Sequence, residues 1–236
     1  MPDYTVNELN ISNRGLIKLP DDIEKYNNLE KLYCQYNKIT SLNNLPNGQI
    51  AEHEDKPLGF PPNLKELYCC FNKITSLNNL PPTLKQLNCS YNKITSLDNL
   101  PPNLEILKCW NNQITILDNL PPTLKELYCQ SNKITILDNL PPNLEKLYCI
   151  HNKLTSLDNL PPKLNVLHCQ ENQINSLDNL PPNLIKLYCR SNKITSLDNL
   201  PLKLEVLNCY SNPLKYDFKH TLENIRNYNT SRMLSS

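Results

Sequence analysis

The chain has 236 residues and a formal net charge of +1, so no global field draws it to nucleic acid or to an anionic membrane. Length alone allows one or two domains, but an unbroken internal period makes one elongated domain the expectation. The opening MPDYTVNELN has neither a basic start nor an apolar run, and no segment reaches transmembrane length. A soluble, intracellular, cytoplasmic protein is the resulting expectation.

Residues 1–28 read as an N-terminal cap with a diverged first repeat. Leu9, Ile11, Leu16 and Leu19 fill its apolar slots, and Arg14 stands where later copies carry asparagine. Terminal units of an array are atypical because one side faces water. The following PDDIEKYNN predicts one helical turn with Pro20 near its start.

From Leu29 to Leu214 the pattern LxxLxCxxNxIxxLxxLPPx occurs nine times, starting at Leu29, Leu64, Leu84, Leu104, Leu124, Leu144, Leu164, Leu184 and Leu204. Leucines at repeat positions 1 and 4 and cysteine at 6 end in a period of two, a short strand with one face inward. Asparagine at 9 is expected to turn the chain. Isoleucine at 11 and leucines at 14 and 17 bring it back. The doubled prolines remove two donors and forbid a regular helix on the return leg. Each unit is therefore one coil of a solenoid, unable to bury its apolar side without a neighbour.

An insertion at 47–61, holding two of the three glycines, stretches one period and is expected to bulge as a loop from the back. Residues 215–236 read as a C-terminal helical cap and tail. Phe218, Leu222 and Ile225 share a helical face, Asp217 is the expected N-cap, and Thr230 onward is expected to fray.

The unit LKQLNCSYNKITSLDNLPP resembles the leucine-rich repeat, in the short, proline-ended form of bacterial effectors such as the Yersinia outer-protein and Shigella invasion-antigen ligase groups, and of large DNA virus proteins. The resemblance covers roughly residues 9–214. It implies an α/β-type repeat solenoid that is mostly β: a right-handed horseshoe with one short parallel strand per coil and an extended, polyproline-like convex side. It also implies a non-enzymatic scaffold that binds a partner protein on the concave strand face.

Nine of the ten cysteines hold position 6, one inward column, and no CxxC pair offers converging zinc ligands. No metal or cofactor is expected. Cys70 follows a column cysteine and points the other way, so a thiol enzyme at Cys70 is the least favoured alternative. The asparagine column at position 9 reads as structural, since a carboxamide both donates and accepts. His151 and Glu171 share position 8 in adjacent coils and read as a surface polar pair. Lysines at position 10 and aspartates at position 15 form two charged edges. The lysine edge with the tyrosines is the second alternative, a nucleic-acid site, which the charge balance argues against.

Positions 3, 5, 7 and 8 remain for an outward strand face, and aromatic residues crowd it. The partner-binding residues expected there are Tyr68, Phe71, Tyr91, Trp110, Tyr128, Tyr148, His151, Tyr188 and Arg190, with no catalytic residue, no small-molecule substrate and a monomeric chain.

Overall fold

The computed structural model describes residues 2–42 and 59–234. Ten three-residue strands form one parallel sheet in sequence order: β1 Glu8–Asn10, β2 Lys31–Tyr33, β3 Glu66–Tyr68, β4 Gln86–Asn88, β5 Ile106–Lys108, β6 Glu126–Tyr128, β7 Lys146–Tyr148, β8 Val166–His168, β9 Lys186–Tyr188 and β10 Val206–Asn208. The mostly-β solenoid expected from the repeat is what forms, with one strand per coil. Each strand is repeat positions 3 to 5, and identical positions lie opposite one another, as in Leu67↔Leu87 and Leu87↔Leu107.

That register follows from the side chains. The position-4 leucine points inward and is flanked by two half-exposed residues, so a slip of one residue would expel every leucine to the other face. Leucines at 1 and 4, cysteine at 6 and isoleucine at 11 stack into continuous buried columns that form one core along the array.

The position-9 asparagine ties neighbouring coils together. Asn132 Oδ1 accepts the Ile114 N–H at 3.0 Å, and its Nδ2 donates toward the carbonyls of Cys109 (3.1 Å), Cys129 (3.1 Å) and Gln130 (3.2 Å). The same pattern recurs at Asn72, Asn92, Asn112, Asn152, Asn172 and Asn192. Asn37 carries it into the first coil, accepting from the Arg14 and Leu16 N–H groups, so that coil takes part as acceptor and donor although Arg14 replaces its own asparagine. Aspartate lacks the donors for this role.

The chain does not turn at the asparagine, as the sequence leads one to expect, but one residue earlier. Position 8 is left-handed in all ten coils, with φ between 52° and 57° from Asn13 to Ser211. Only there does the backbone swing the following carboxamide beneath the strand ends. On the return leg, the first proline's carbonyl accepts the N–H of the next leucine (Pro141 from Leu144, 3.0 Å), closing a turn with the second proline at the site that favours it. A second rail runs behind. Asn119, Asn139, Asn159, Asn179 and Asn199 each donate to the aspartate one coil back, at 2.7 to 3.3 Å.

At the front end, Ile11 and Leu19 are buried, and the Pro20 carbonyl accepts the Ile23 N–H at 3.1 Å to open a single 3₁₀ turn, Ile23–Lys25. At the far end, α1 (Leu222–Leu234) places Ile225 fully inside. It begins later than expected: Thr221 Oγ1, not Asp217, accepts the Asn224 N–H at 3.2 Å. Phe218 lies before the helix, against Tyr216 and Tyr228, and Thr230 to Leu234 continue the helix where fraying was expected. Arg226 donates to the carbonyls of Leu202 and Leu204, and Asn229 to those of Leu197 and Asp198, fixing α1 to the last coil. The expected bulge at 47–61 falls almost wholly outside the described residues.

Replacing Asn132 with alanine strands the buried Ile114 N–H and takes one of two asparagine donors from the Cys109 and Cys129 carbonyls; urea unfolding should show a loss of about 1 to 3 kcal/mol. Asn119→Ala removes one exposed side-chain bond and leaves alanine in left-handed backbone at φ 60°, so it should cost about 1 kcal/mol in the same assay.

The column thiols give a second outcome. Burial pushes the Cys149 thiol up to about 12, whereas an unfolded thiol ionises near about 8.5. Its stabilising effect is complete below the unfolded value and is lost as pH rises toward 12, by about 1.4 kcal/mol per pH unit. Unfolding measured from pH 8 to 11 should therefore show a shallower alkaline decline for Cys149→Ala than for the unsubstituted chain. Parallel declines would contradict a buried neutral thiol.

Candidate partner-binding face

The strand face carries rings in two ladders, not the single stripe expected. One follows position 8 and ends on position 7. Tyr36 stacks on Phe71 (4.6 Å between ring centres), Phe71 on Tyr91 (4.1 Å), and Tyr91 meets Trp110 edge-on at 4.7 Å. The other follows position 5, with Tyr33 on Tyr68 (4.8 Å) and, after a break, Tyr128 on Tyr148 (4.4 Å), Tyr148 on His168 (4.4 Å) and His168 on Tyr188 (4.1 Å). The spacing is that of neighbouring strands, about 4.8 Å, so flat side chains in one column stack face to face with little adjustment.

Stacking decides what the face presents. An interior ring has both faces against its neighbours and offers its edge and, for tyrosine, its hydroxyl. Two hydroxyls are already engaged: Tyr68 donates to Glu66 at 2.8 Å and Tyr128 to Glu126 at 2.7 Å. Those carboxylates are in turn paired with Lys31 (3.0 Å) and Lys146 (2.8 Å) on the flanking strands. His168, inside the second ladder, has its pKa lowered by burial first and by Lys186 second, so its ring stays neutral in the stack.

Position 8 launches Tyr36, Phe71 and Tyr91 from left-handed backbone. For a residue other than glycine or asparagine that conformation costs roughly 1 kcal/mol or more. Asn13 and Asn111 occupy the same site comfortably, whereas the three rings sit there with strain that their stacking offsets.

The remaining expected residues divide. His151 and Glu171 are also at position 8 and lie 3.5 Å apart, with Arg190 reaching Glu171 at 2.8 Å; they form an exposed charged cluster apart from both ladders. Position 7 is less outward than the repeat pattern implied: Trp110, Ile150 and Cys70 are half-buried and Ser90 is fully buried. Burial raises the Cys70 thiol above its ordinary value, the reverse of what thiol catalysis needs. Tyr33, Tyr36 and His168 complete the ladders; column membership was the signal for each.

A groove of about 610 Å³ runs along the edge before the strands, lined by position-2 residues such as Lys85, Glu105 and Lys125 and by Thr83, Asn103 and Thr123. Its charges are largely paired, with Lys125 at 2.8 Å and Lys85 at 3.7 Å from Glu105. Among the described residues no cluster of histidine, cysteine and carboxylate side chains suits a metal ion, and no helix is long and apolar enough to cross a membrane.

A parallel strand, a cysteine column, an asparagine ladder and a proline turn in every coil define a leucine-rich-repeat solenoid. The chain is a leucine-rich-repeat protein of the short, twenty-residue, proline-ended type. The profile of leucine-rich repeats (two copies) matches residues 62–102 and 122–162. Among solved structures, YopM from Yersinia enterocolitica is similar at 30% identity and TM-score 0.66, over 92% of this chain and 51% of that one. The functional domain of InlJ from Listeria monocytogenes, described as including a cysteine ladder, is similar at 36% identity and TM-score 0.72, over 93% and 46%. YopM from Yersinia pestis, described as a leucine-rich effector protein, gives 28% identity and TM-score 0.58, over 87% and 72%. The chain thus spans about half the length of the first two. No curated protein matches the sequence.

If position 8 is intrinsically strained, an asparagine placed where no contact is lost should stabilise the fold. Ser191 has φ 57° and a small side chain. Ser191→Asn should raise unfolding free energy by about 0.5 to 1 kcal/mol, read from the denaturant midpoint.

Proposed function

We propose that the chain is a non-enzymatic scaffold that binds a partner protein across its strand face, over β3 to β7. Leucine-rich-repeat arrays are typically protein-interaction scaffolds. The contact is centred on Phe71, Tyr91 and Trp110 and flanked by Tyr68, Tyr128 and Tyr148. The charged cluster of His151, Glu171 and Arg190, with Tyr188 beside it, lies at the rim and contributes orientation.

One observation carries this reading: large rings held half-exposed or exposed in left-handed backbone, where folding alone favours asparagine. Tyr36 is 55% and Tyr91 37% exposed, so the rings are not retained to fill the core. Prestacked aromatic side chains lose little rotamer freedom on binding and supply the contacts from which hot spots are built.

The nucleic-acid alternative loses support from the same geometry. Sequence-tolerant binding of single strands needs free ring faces for the bases, and here the interior faces are spent on neighbouring rings. The position-15 aspartates add negative charge beyond the lysine edge.

Tyr91→Asn relieves the strained site while removing two ring contacts, so folding stability should change by under about 1 kcal/mol. Combined with Trp110→Ala, it should weaken binding of a partner isolated by proximity labelling by about 2 kcal/mol or more, roughly thirty-fold, in calorimetry. Unchanged affinity in the double variant, with the fold intact, would move the site off this face.

A further inference from the structure

The position-5 ladder is interrupted at one place. Tyr68, Asn88, Lys108 and Tyr128 are successive in register, so two coils without rings separate two stacks. The gap from ring to ring is three strand spacings, about 14 Å. Tyr33 covers one face of Tyr68, and among the described residues no ring covers the other, which looks toward Asn88. On the far side, the Lys108 ammonium lies 5.3 Å from the centre of the Tyr128 ring, and Lys108 forms no ion pair among the described residues. Asn88 directs its carboxamide oxygen to the Ser90 N–H at 3.2 Å, leaving a short polar side chain where the preceding coil carries the Tyr68 ring. Tyr91 and Trp110 wall the gap on the position-8 side, and Ile106 and Gln86 lie across it at position 3.

We infer that this notch over Asn88 and Lys108 receives an aromatic side chain of the partner, set beside an Asp or Glu of the same segment. The inference rests on the strand-face reading above and names the partner's chemistry. A ring seated over Asn88 continues the stack on Tyr68 and turns its other face to the Lys108 ammonium, so both faces meet favourable groups. The neighbouring carboxylate gives Lys108 a direct ion-pair partner, which Glu126, near enough to act on it electrostatically, does not form. An apolar aliphatic anchor would use neither the free ring face nor the cation, and a basic segment would meet Lys108 as a like charge.

The test uses a phage library of random peptides, selected on the full chain, and measures the affinity of each enriched peptide for four variants. Asn88→Tyr fills the notch with a residue that the array already holds at position 5 in Tyr33, Tyr68, Tyr128, Tyr148 and Tyr188, so the fold accommodates it. Lys108→Glu reverses the charge. Tyr91→Asn and Trp110→Ala report on the face as a whole. The expected result is enrichment of an aromatic residue next to Asp or Glu, at least ten-fold weaker binding to Asn88→Tyr and Lys108→Glu, and recovery on Lys108→Glu when the peptide's acid is changed to lysine. Enriched sequences lacking that pair, the absence of any enriched sequence, or indifference to Asn88→Tyr would overturn the inference. Peptides weakened by Trp110→Ala but not by Asn88→Tyr would overturn the notch and leave the strand face standing; peptides indifferent to all four would remove both.

Discussion

The interaction on which the rest depends is the asparagine at position 9, a single carboxamide shared between two coils. A three-residue strand makes too few backbone bonds to hold a coil in place, and a coil of twenty residues cannot close a core. By accepting from one coil's return leg and donating to carbonyls of two successive strand ends, the carboxamide makes the position of each coil a condition for the next. The cysteine beneath it is chosen for size and for neutrality. A thiol in that column is a small apolar filler whose carbonyl serves the asparagine ladder, and burial keeps it protonated.

Position 8 follows from that arrangement. For the carboxamide to reach under the strand ends, the residue before it must reverse the chain, and it does so in left-handed conformation whatever its side chain. A structural requirement thereby creates an exposed site whose occupant is not needed for the core. In the first half of the array the occupants are the rings of Tyr36, Phe71 and Tyr91 with Asn13 and Asn111, and in the second they are small or polar: Ser131, His151, Glu171, Ser191 and Ser211. The position-8 column is accordingly uneven along its length, with stacked rings near the front, while the stack behind, from Tyr128 to Tyr188, belongs to position 5.

The sequence made the solenoid legible because the twenty-residue period returns in nine copies, stretched only once, and each core column is dominated by one residue type. Register, core and asparagine role all follow from that. The left-handed site was not legible, because Tyr36, Phe71, Tyr91 and Glu171 carry none of the glycine or asparagine signature that marks such backbone; only Asn13 and Asn111 hinted at it. The division of the aromatic stripe into two ladders was hidden for a different reason: columns can be read from a sequence, but whether rings meet by face or by edge depends on strand spacing and on which position launches them. The end of the array misled through a local competition. Asp217 and Thr221 are both credible caps, and the packing of Phe218 against Tyr216 selects the later one.

Stacked rings also bear on how broad the recognition proposed for this face can be. A surface that accepts many partners does so by re-packing, typically with flexible methionines, and this chain has only Met1 and Met233, both outside the repeats. A ring in either ladder cannot change rotamer without unstacking from its neighbours, so rearrangement of one coil is resisted by the next. Under the proposed strand-face reading, such a face is a rigid template that would discriminate by fit, tolerate few sequences, and change its specificity by substitution in individual coils and not by adjustment.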